Sequence, residues 1–449
     1  MLGPMKILLI HPKRRNKHSY VGKIKAYIPP LTMPVLAGLT PRDIDVEMCD
    51  ESVDDVNFNT DADLIGITGI TSQINRGYEI ADVFRKKGKK VIMGGIHVSV
   101  MPHEAKKHAD SIVIGEAEDL WEGIIEDFRN DCLKEEYKPD TYTDFKKLVI
   151  PRYDLLKLNK YRRSTGTNIP RLPIQASRGC PFNCKFCSVT KFWGPKIRTK
   201  PLENIEKELL HIKSFGTNRV FFTDDNFIAE TNYTENLLRL LKKHDFSWIC
   251  QVSSNIYRHE DLIIEMGKAG CTGVYMGIES FSEENLENIN KKFNKMADYE
   301  NLFKLFNKSN IRVTASMIIG LDGDTRESLH DMVRQLIHLK ACQALFYILM
   351  PLPGTQLREQ FLKKHRITDH NWDHLNGTKV TFKPKSFRSD ELQNYYWELY
   401  NEFYSHKSII RRLFTLGNLK SGVNRIVIPL KTNLYFWKRI KNGLHPIEN

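Results

Sequence analysis

Ile174-Gln-Ala-Ser-Arg178-Gly-Cys180-Pro-Phe-Asn-Cys184-Lys-Phe186-Cys187 joins a short apolar run to a loop carrying three cysteines. The run 174–177 reads as a buried strand. Five more strand-like segments follow at intervals of a few tens of residues: 219–223, 248–253, 273–277, 313–319 and 344–349. That spacing suits βα units of roughly 30 residues each. Six units predict a partial (β/α)6 barrel, short of the eight that close a full one. Barrel chemistry is built at the carboxyl ends of the strands, which is where this cysteine loop falls.

Toward the N-terminus, residues 6–10 (KILLI), 46–49, 64–68 (LIGIT), 91–94 (VIMG) and 111–114 (SIVI) also read as buried strands. Between them Ile74, Tyr78, Ala81 and Phe84 share one helical face, and Gly88 stops that helix. Buried strands separated by helices imply a doubly wound, Rossmann/flavodoxin-like parallel sheet. Such sheets bind ligands beyond the strands' carboxyl ends. Those ends read Thr68-Gly69-Ile70-Thr71-Ser72, Gly94-Gly95-Ile96-His97 and Gly115-Glu116-Ala117-Glu118. Their glycines permit close backbone approach to a large flat or phosphorylated ligand. The expected organisation is an α/β unit over 1–135, a linker over 136–172 with some helix near 153–160, the barrel over 173–375, and a helical, basic region over 376–449.

Composition narrows the class. With 41% hydrophobic and 27% charged residues in 449, the chain is ordinary globular protein, not a disordered or repetitive one. It has no apolar run of about 18 residues and no basic-then-apolar leader, which argues against a membrane span or a secretory signal. Eight cysteines without such a signal do not suggest a disulfide framework, and the expected compartment is reducing cytoplasm. The net charge of +13 is concentrated: residues 405–449 hold nine Lys/Arg and one acid, Glu448. That uneven placement weakens a nucleic-acid reading. The tail pairs its cations with Ile409, Ile410, Phe414, Ile426, Ile428, Leu434, Phe436 and Trp437, and is expected to close the barrel. The competing expectation is peripheral contact with an anionic membrane or an acidic substrate.

Three thiolates at C-x3-C-x2-C return to one side of a loop and can wrap one small cluster. Iron–sulfur cubanes normally take four Cys ligands, so three leave one iron open. Structural zinc would need a fourth Cys or His, and the nearest, His211 and Cys250, fall on other elements. Cys49, Cys132, Cys250, Cys271 and Cys342 read as core thiols.

This motif resembles that of the radical S-adenosylmethionine (SAM) enzymes. Thr223-Asp224-Asp225-Asn226-Phe227, Gly277-Ile278-Glu279-Ser280, Ile319-Gly-Leu-Asp322-Gly-Asp324-Thr325 and Pro351-Leu-Pro-Gly354-Thr355 resemble the family's later strand-end segments. Asp322 stands where the family usually has Pro, and only a local turn change is expected there. The resemblance implies a catalytic [4Fe-4S] cluster on Cys180, Cys184 and Cys187. It also implies SAM near Phe186, Asp224, Asp225, Gln251, Ser253, Glu279 and Ile319.

Residues 6–12, 66–69, 91–97 and 108–118 resemble the cobalamin-binding half of B12-dependent members of that family. The resemblance implies cobalamin at Thr68, Gly69, Thr71, Ser72, Gln73, Gly94, Gly95, His97, Ser99, Gly115 and Glu116. No aspartate has a His two positions later, so a histidine-ligated cobalamin is not supported. Ile70, Gln73 and Ile74 are the candidates to cover the lower cobalt face, and His97 is expected to be a loop hydrogen-bonder.

An unactivated C–H bond lies beyond any side-chain base. The resemblance implies methylation of such a carbon through a 5′-deoxyadenosyl radical and methylcobalamin. The alternatives are a cyclase or ring-rearranging relative of the same fold, and a methylthiotransferase-like RNA-modifying enzyme. Against the latter, the N-terminal region holds only Cys49 and Cys132, not a second triad. Expected partners are a lipid, tetrapyrrole, natural product or protein residue (as in a methanogenesis enzyme) as substrate, and flavodoxin or ferredoxin as electron donor.

Overall fold

The computed structural model describes residues 5–15, 28–147, 149–161, 170–413 and 424–446. Six strands form the first sheet: β1 (Lys6–His11), β2 (Asp45–Asp50), β3 (Leu64–Thr68), β4 (Lys90–Gly94), β5 (Ser111–Val113) and β6 (Glu136–Tyr137). All pair in parallel, in the order β2-β1-β3-β4-β5-β6. The strand order reverses between β1 and β3, where a doubly wound sheet takes its ligand. Both faces are covered. Ile7 and Leu9 pack with Trp121 and Ile124, while Leu8 and Ile10 pack with Tyr78 and Phe84. That double burial explains why the strands read as unbroken apolar runs. The helix expected before Gly88 spans Ile74–Lys86. The sheet runs past the expected boundary at 135, because β6 adds to its edge.

The linker contains two short 3-10 turns, Tyr153–Leu155 and Leu158–Lys160, where helix was expected. It is pinned at both ends. Tyr153 donates its hydroxyl hydrogen to the Pro173 carbonyl at 2.5 Å, and Tyr161 donates to Asp50 at 2.7 Å.

The second sheet holds β7 (Leu172–Ile174), β10 (Arg219–Phe222), β11 (Ser247–Val252), β12 (Cys271–Glu279), β13 (Arg312–Ile319) and β14 (Gln343–Ile348). Its order is β14-β13-β12-β11-β10-β7, all parallel, the predicted six-stranded partial barrel. The expected strand 174–177 is split. Ser177 belongs to β8 (Ser177–Arg178), which pairs antiparallel with β9 (Arg198–Thr199) to frame the cysteine loop. Val220, Phe222 and Trp248 are fully buried with Ile205 and Leu209 of the helix Leu202–Ser214. The alternate residues of these strands therefore line the inner wall.

The tail closes the barrel's free edge. Tyr404 accepts a hydrogen bond from the Ala344 amide at 3.2 Å and donates to its carbonyl at 2.9 Å. Tyr400 does the same for Phe346, at 2.9 and 3.0 Å. Arg412, in the helix His406–Leu413, donates to the Ala341 and Cys342 carbonyls, and Asn433, in the helix Asn424–Lys441, adds a bond to Cys342. An edge strand's orphan polar groups are thus satisfied by side chains. Ile409 and Phe436 are buried, Ile410, Ile428 and Leu434 are exposed, and Phe414 lies outside the described residues. Cys132 is exposed, contrary to its reading as a core thiol, while Cys49, Cys250 and Cys271 are buried. No helix among the described residues is long and apolar enough to cross a membrane.

Candidate functional site

The cysteine loop turns on Gly179, whose φ of 96° is open to glycine and whose absent side chain leaves room for the Lys196 carbonyl. The Cys180 amide donates to the Gly194 carbonyl at 3.3 Å. The Lys185 amide donates to Ile289, and the Lys185 carbonyl accepts from Leu357. Three separate segments thus fix the loop. Burial raises all three thiols, Cys184 to about 11 and Cys187 to about 12, and the Cys180 and Cys184 charges raise Cys187 further. Among the described residues no set of three His, Cys, Asp or Glu side chains is close-knit enough for a single metal ion. The donors are instead three mutually interacting thiols with a buried cation beside them, a soft all-sulfur set that fits an iron–sulfur cluster.

That cation is Lys291, which motif reading missed. Its ammonium lies 2.5 Å from a Glu279 carboxylate oxygen and 5.9 Å from the centre of the Phe186 ring. Its charge opposes, without overcoming, the burial that raises the Cys184 thiol. Glu279 ends β12 in the left-handed region, at φ 65°, a strained setting for a residue with a side chain. A Cβ on Gly277 would collide with the Glu279 carboxylate and the Lys291 ammonium, so glycine there makes the pair possible. Asn294 braces the turn from below, donating to the Gly277 and Ile278 carbonyls.

The two aspartates after β10 differ. Asp224 is fully buried and spent on structure, accepting from the amides of Ala176 and Ser177 and from the Ser177 hydroxyl. These bonds pin the strand-to-loop turn. Asp225 has an oxygen, Oδ2, buried without a partner among the described residues. Burial and the Asp224 charge push Asp225 up to about 7, against the pull of Arg178. Ser253 bonds to Asn226, and the Gln251 amide reaches the Asp224 carbonyl at 3.5 Å. Both flank Asp225. Ile319 is wholly buried in the core at the end of β13. Asp322, at the departure from the family pattern, has a partner of its own in Arg366, at 2.8 and 3.0 Å.

At the other end, the sheet's loops form a glycine-lined cradle. Gly95 has φ 101°, and a Cβ there would stand 2.9 Å from the Gly69 carbonyl. Ser99 ties two loops together, donating to the Gly95 carbonyl at 2.9 Å and accepting from the Gly115 amide at 2.8 Å. Thr68 and Gly94 end paired strands beside it. His97 is completely buried, its ring nitrogens facing Thr71 at 3.2 Å and Glu104 at 3.4 Å, which matches the hydrogen-bonder expected. Gln73 is buried, bonding the Ile70 amide and the Pro12 carbonyl. Thr71, Ser72 and Ile74 are buried too, so of the three candidates for the cobalt face only Ile70, 41% exposed, projects from the loop. Glu116 accepts from Arg198 and from the Thr143 amide. Glu118 pairs with Arg178. These ion pairs bind the cradle to the cysteine loop across the two sheets, a role no local pattern could reveal.

Two family descriptions match: "Radical SAM superfamily" over residues 174–336 and "B12 binding domain" over 17–125. Bacteriochlorophyllide d C-8(2)-methyltransferase of Chlorobaculum tepidum is 30% identical, with 93% of each chain aligned. The anaerobic magnesium-protoporphyrin IX monomethyl ester cyclase of Cereibacter sphaeroides is 24% identical, over 98% of this chain and 79% of its own. The structure of the radical SAM methyltransferase TsrM from Kitasatospora setae, with cobalamin and a [4Fe-4S] cluster bound, has a TM-score of 0.62 at 18% identity. It covers 81% of this chain and 78% of that one. At that identity the likeness concerns the fold alone.

Proposed function

Because this chain belongs to the cobalamin-dependent radical SAM methyltransferases, we propose that it methylates an unactivated carbon of a tetrapyrrole. The observation that carries this reading is the 30% identity, end to end, with a bacteriochlorophyllide methyltransferase. The cyclase outcome is the weaker alternative, its representative being only 24% identical.

In this reading the thiolates of Cys180, Cys184 and Cys187 would hold the cluster. Together the cluster, SAM and cobalamin supply hydrogen-atom abstraction and methyl delivery when bound. The protein binds, orients and keeps water out. The unpartnered Asp225 oxygen and the Glu279–Lys291 pair offer an acceptor, an anion and a cation to the zwitterionic methionyl end and ribose of SAM. Thr68, Gly69, Gly94, Gly95 and Gly115 give cobalamin a surface without protruding side chains. Ile70, the exposed apolar side chain of that loop, would pack against bound cobalamin. A flavodoxin or ferredoxin would serve as the electron donor.

The test is to reconstitute the protein anaerobically and supply SAM, reductant, cobalamin and a chlorophyllide. The expected product is the substrate heavier by one methyl group. A product altered without an added methyl would favour the cyclase alternative, and no turnover of any tetrapyrrole would refute the substrate class.

A further inference from the structure

The amino-terminal ends of the barrel strands form its floor. Arg219 to Thr223 spans about 13 Å at roughly 3.3 Å per residue. Three arginines stand on this floor. Arg219 opens β10, in register with Ser247 of β11, while Val220 pairs with Leu172 and so sets Arg171 beside Arg219. Arg312 opens β13. Their direction follows from alternation. Val220 and Phe222 are buried in the outer layer, so Arg219 and Phe221 take the inner face. Phe221 indeed meets Tyr275 of β12 across the intervening strand, ring centres 6.2 Å apart.

The guanidiniums of Arg171 and Arg312 donate to backbone carbonyls. Arg171 donates to the Val220 carbonyl at 3.1 Å and the Ser247 carbonyl at 2.6 Å. Arg312 donates to Thr272 at 3.0 Å, and the Arg219 Nε is buried with no partner among the described residues. Among the described residues none of the three forms an ion pair, whereas Arg178, Arg198 and Arg366 each hold a carboxylate. Burial and the charges of Arg219 and Arg312 push Arg171 down to about 9. A guanidinium nevertheless stays charged at neutral pH. Like charges gathered at a half-buried floor without a counter-ion cost stability, and an arriving anion would remove that cost.

We propose that the floor of the barrel binds an anionic group, a carboxylate or phosphate, at the end of the substrate remote from the reacting carbon. Above it, Phe221, Ile249 and Tyr275 form an aromatic and apolar wall. The lumen therefore suits an apolar body with an anionic end, held at one point by forked donors and presented to the catalytic rim at another. On the tetrapyrrole reading, on which this choice of substrate rests, the group is a side-chain carboxylate of the ring.

The test uses holoenzyme, wild type and the near-isosteric variants Arg219→Gln and Arg312→Gln, each first checked for iron and cobalamin content. Inorganic phosphate is one probe, and a chlorophyllide with a free carboxylate, compared with its methyl ester, is the other. Phosphate should raise the wild-type unfolding temperature and have little effect on the variants. The free acid should bind wild type roughly 10–100-fold more tightly than the ester, the span expected for charge-assisted hydrogen bonds. In the variants that preference should shrink. If phosphate protection and acid preference persist in both variants, the floor is not the site. If phosphate protects only the wild type and neither pigment binds, the floor stands and the tetrapyrrole reading fails. If both pigments bind wild type equally and phosphate does nothing, the floor proposal is overturned and the tetrapyrrole reading survives.

Discussion

Gly277, Glu279 and Lys291 act as one unit at the rim, because the carboxylate and ammonium occupy the space a side chain at 277 would take. Gly277→Ala is therefore expected to displace the pair and weaken SAM binding by at least about tenfold, ~1.4 kcal/mol, with iron content unchanged. Equilibrium dialysis against SAM would check this; undiminished affinity would mean the pair does not touch SAM. Lys291→Met should do more harm than a surface lysine change, since it leaves Glu279 as a buried, unpaired anion at a position already strained. The expected result is a lower unfolding temperature together with lost SAM cleavage. Sequence reading reached Glu279 through its segment but had no means of finding Lys291, twelve residues on and in no motif. Nor could it separate Asp224 from Asp225. Adjacent identical residues face opposite surroundings, and only the contacts with Ala176 and Ser177 tell which one is structural.

The turn after β13 shows how an element carries a pH dependence. Asp324 is buried and accepts from the Gly320 and Leu321 amides and from Asn285, with no cation beside it. Burial pushes it up to about 7 from an ordinary 3.8. A carboxyl whose folded value is raised contributes stability that is complete below about pH 4 and is lost as pH rises through about 7. Wild type should therefore lose stability relative to Asp324→Asn between about pH 4 and 7, followed as two melting curves against pH. A gap constant across that range would mean that Asp324 stays ionised throughout. The strands of the first sheet were legible because double burial makes them continuous apolar runs. The two-residue ribbon of β8 and β9 was not, since so short a pairing leaves no periodicity to read. Glu116 fell on the expected loop yet proved to belong to Arg198, a partner 82 residues away that spacing cannot supply.

Across the whole molecule, ion pairs and the tail tie the parts together. Ending the chain at Ser405 would remove Arg412, Asn433 and the apolar side chains of Ile409 and Phe436. At about 1 kcal/mol per lost hydrogen bond and 2–4 °C per kcal/mol, the truncated protein should melt lower by roughly 10 °C or more. Raised salt should not reproduce that loss, because buried contacts are little screened. A truncated protein with an unchanged melting point would contradict closure by the tail. The central claim is that the cluster, SAM and cobalamin sites work together in methyl transfer, and it is tested most directly by counting products in one anaerobic reaction. For each methyl added to the substrate we expect one 5′-deoxyadenosine and one S-adenosylhomocysteine, and neither from the Cys180→Ala, Cys184→Ala, Cys187→Ala triple variant. A product formed with 5′-deoxyadenosine but without S-adenosylhomocysteine would contradict the account.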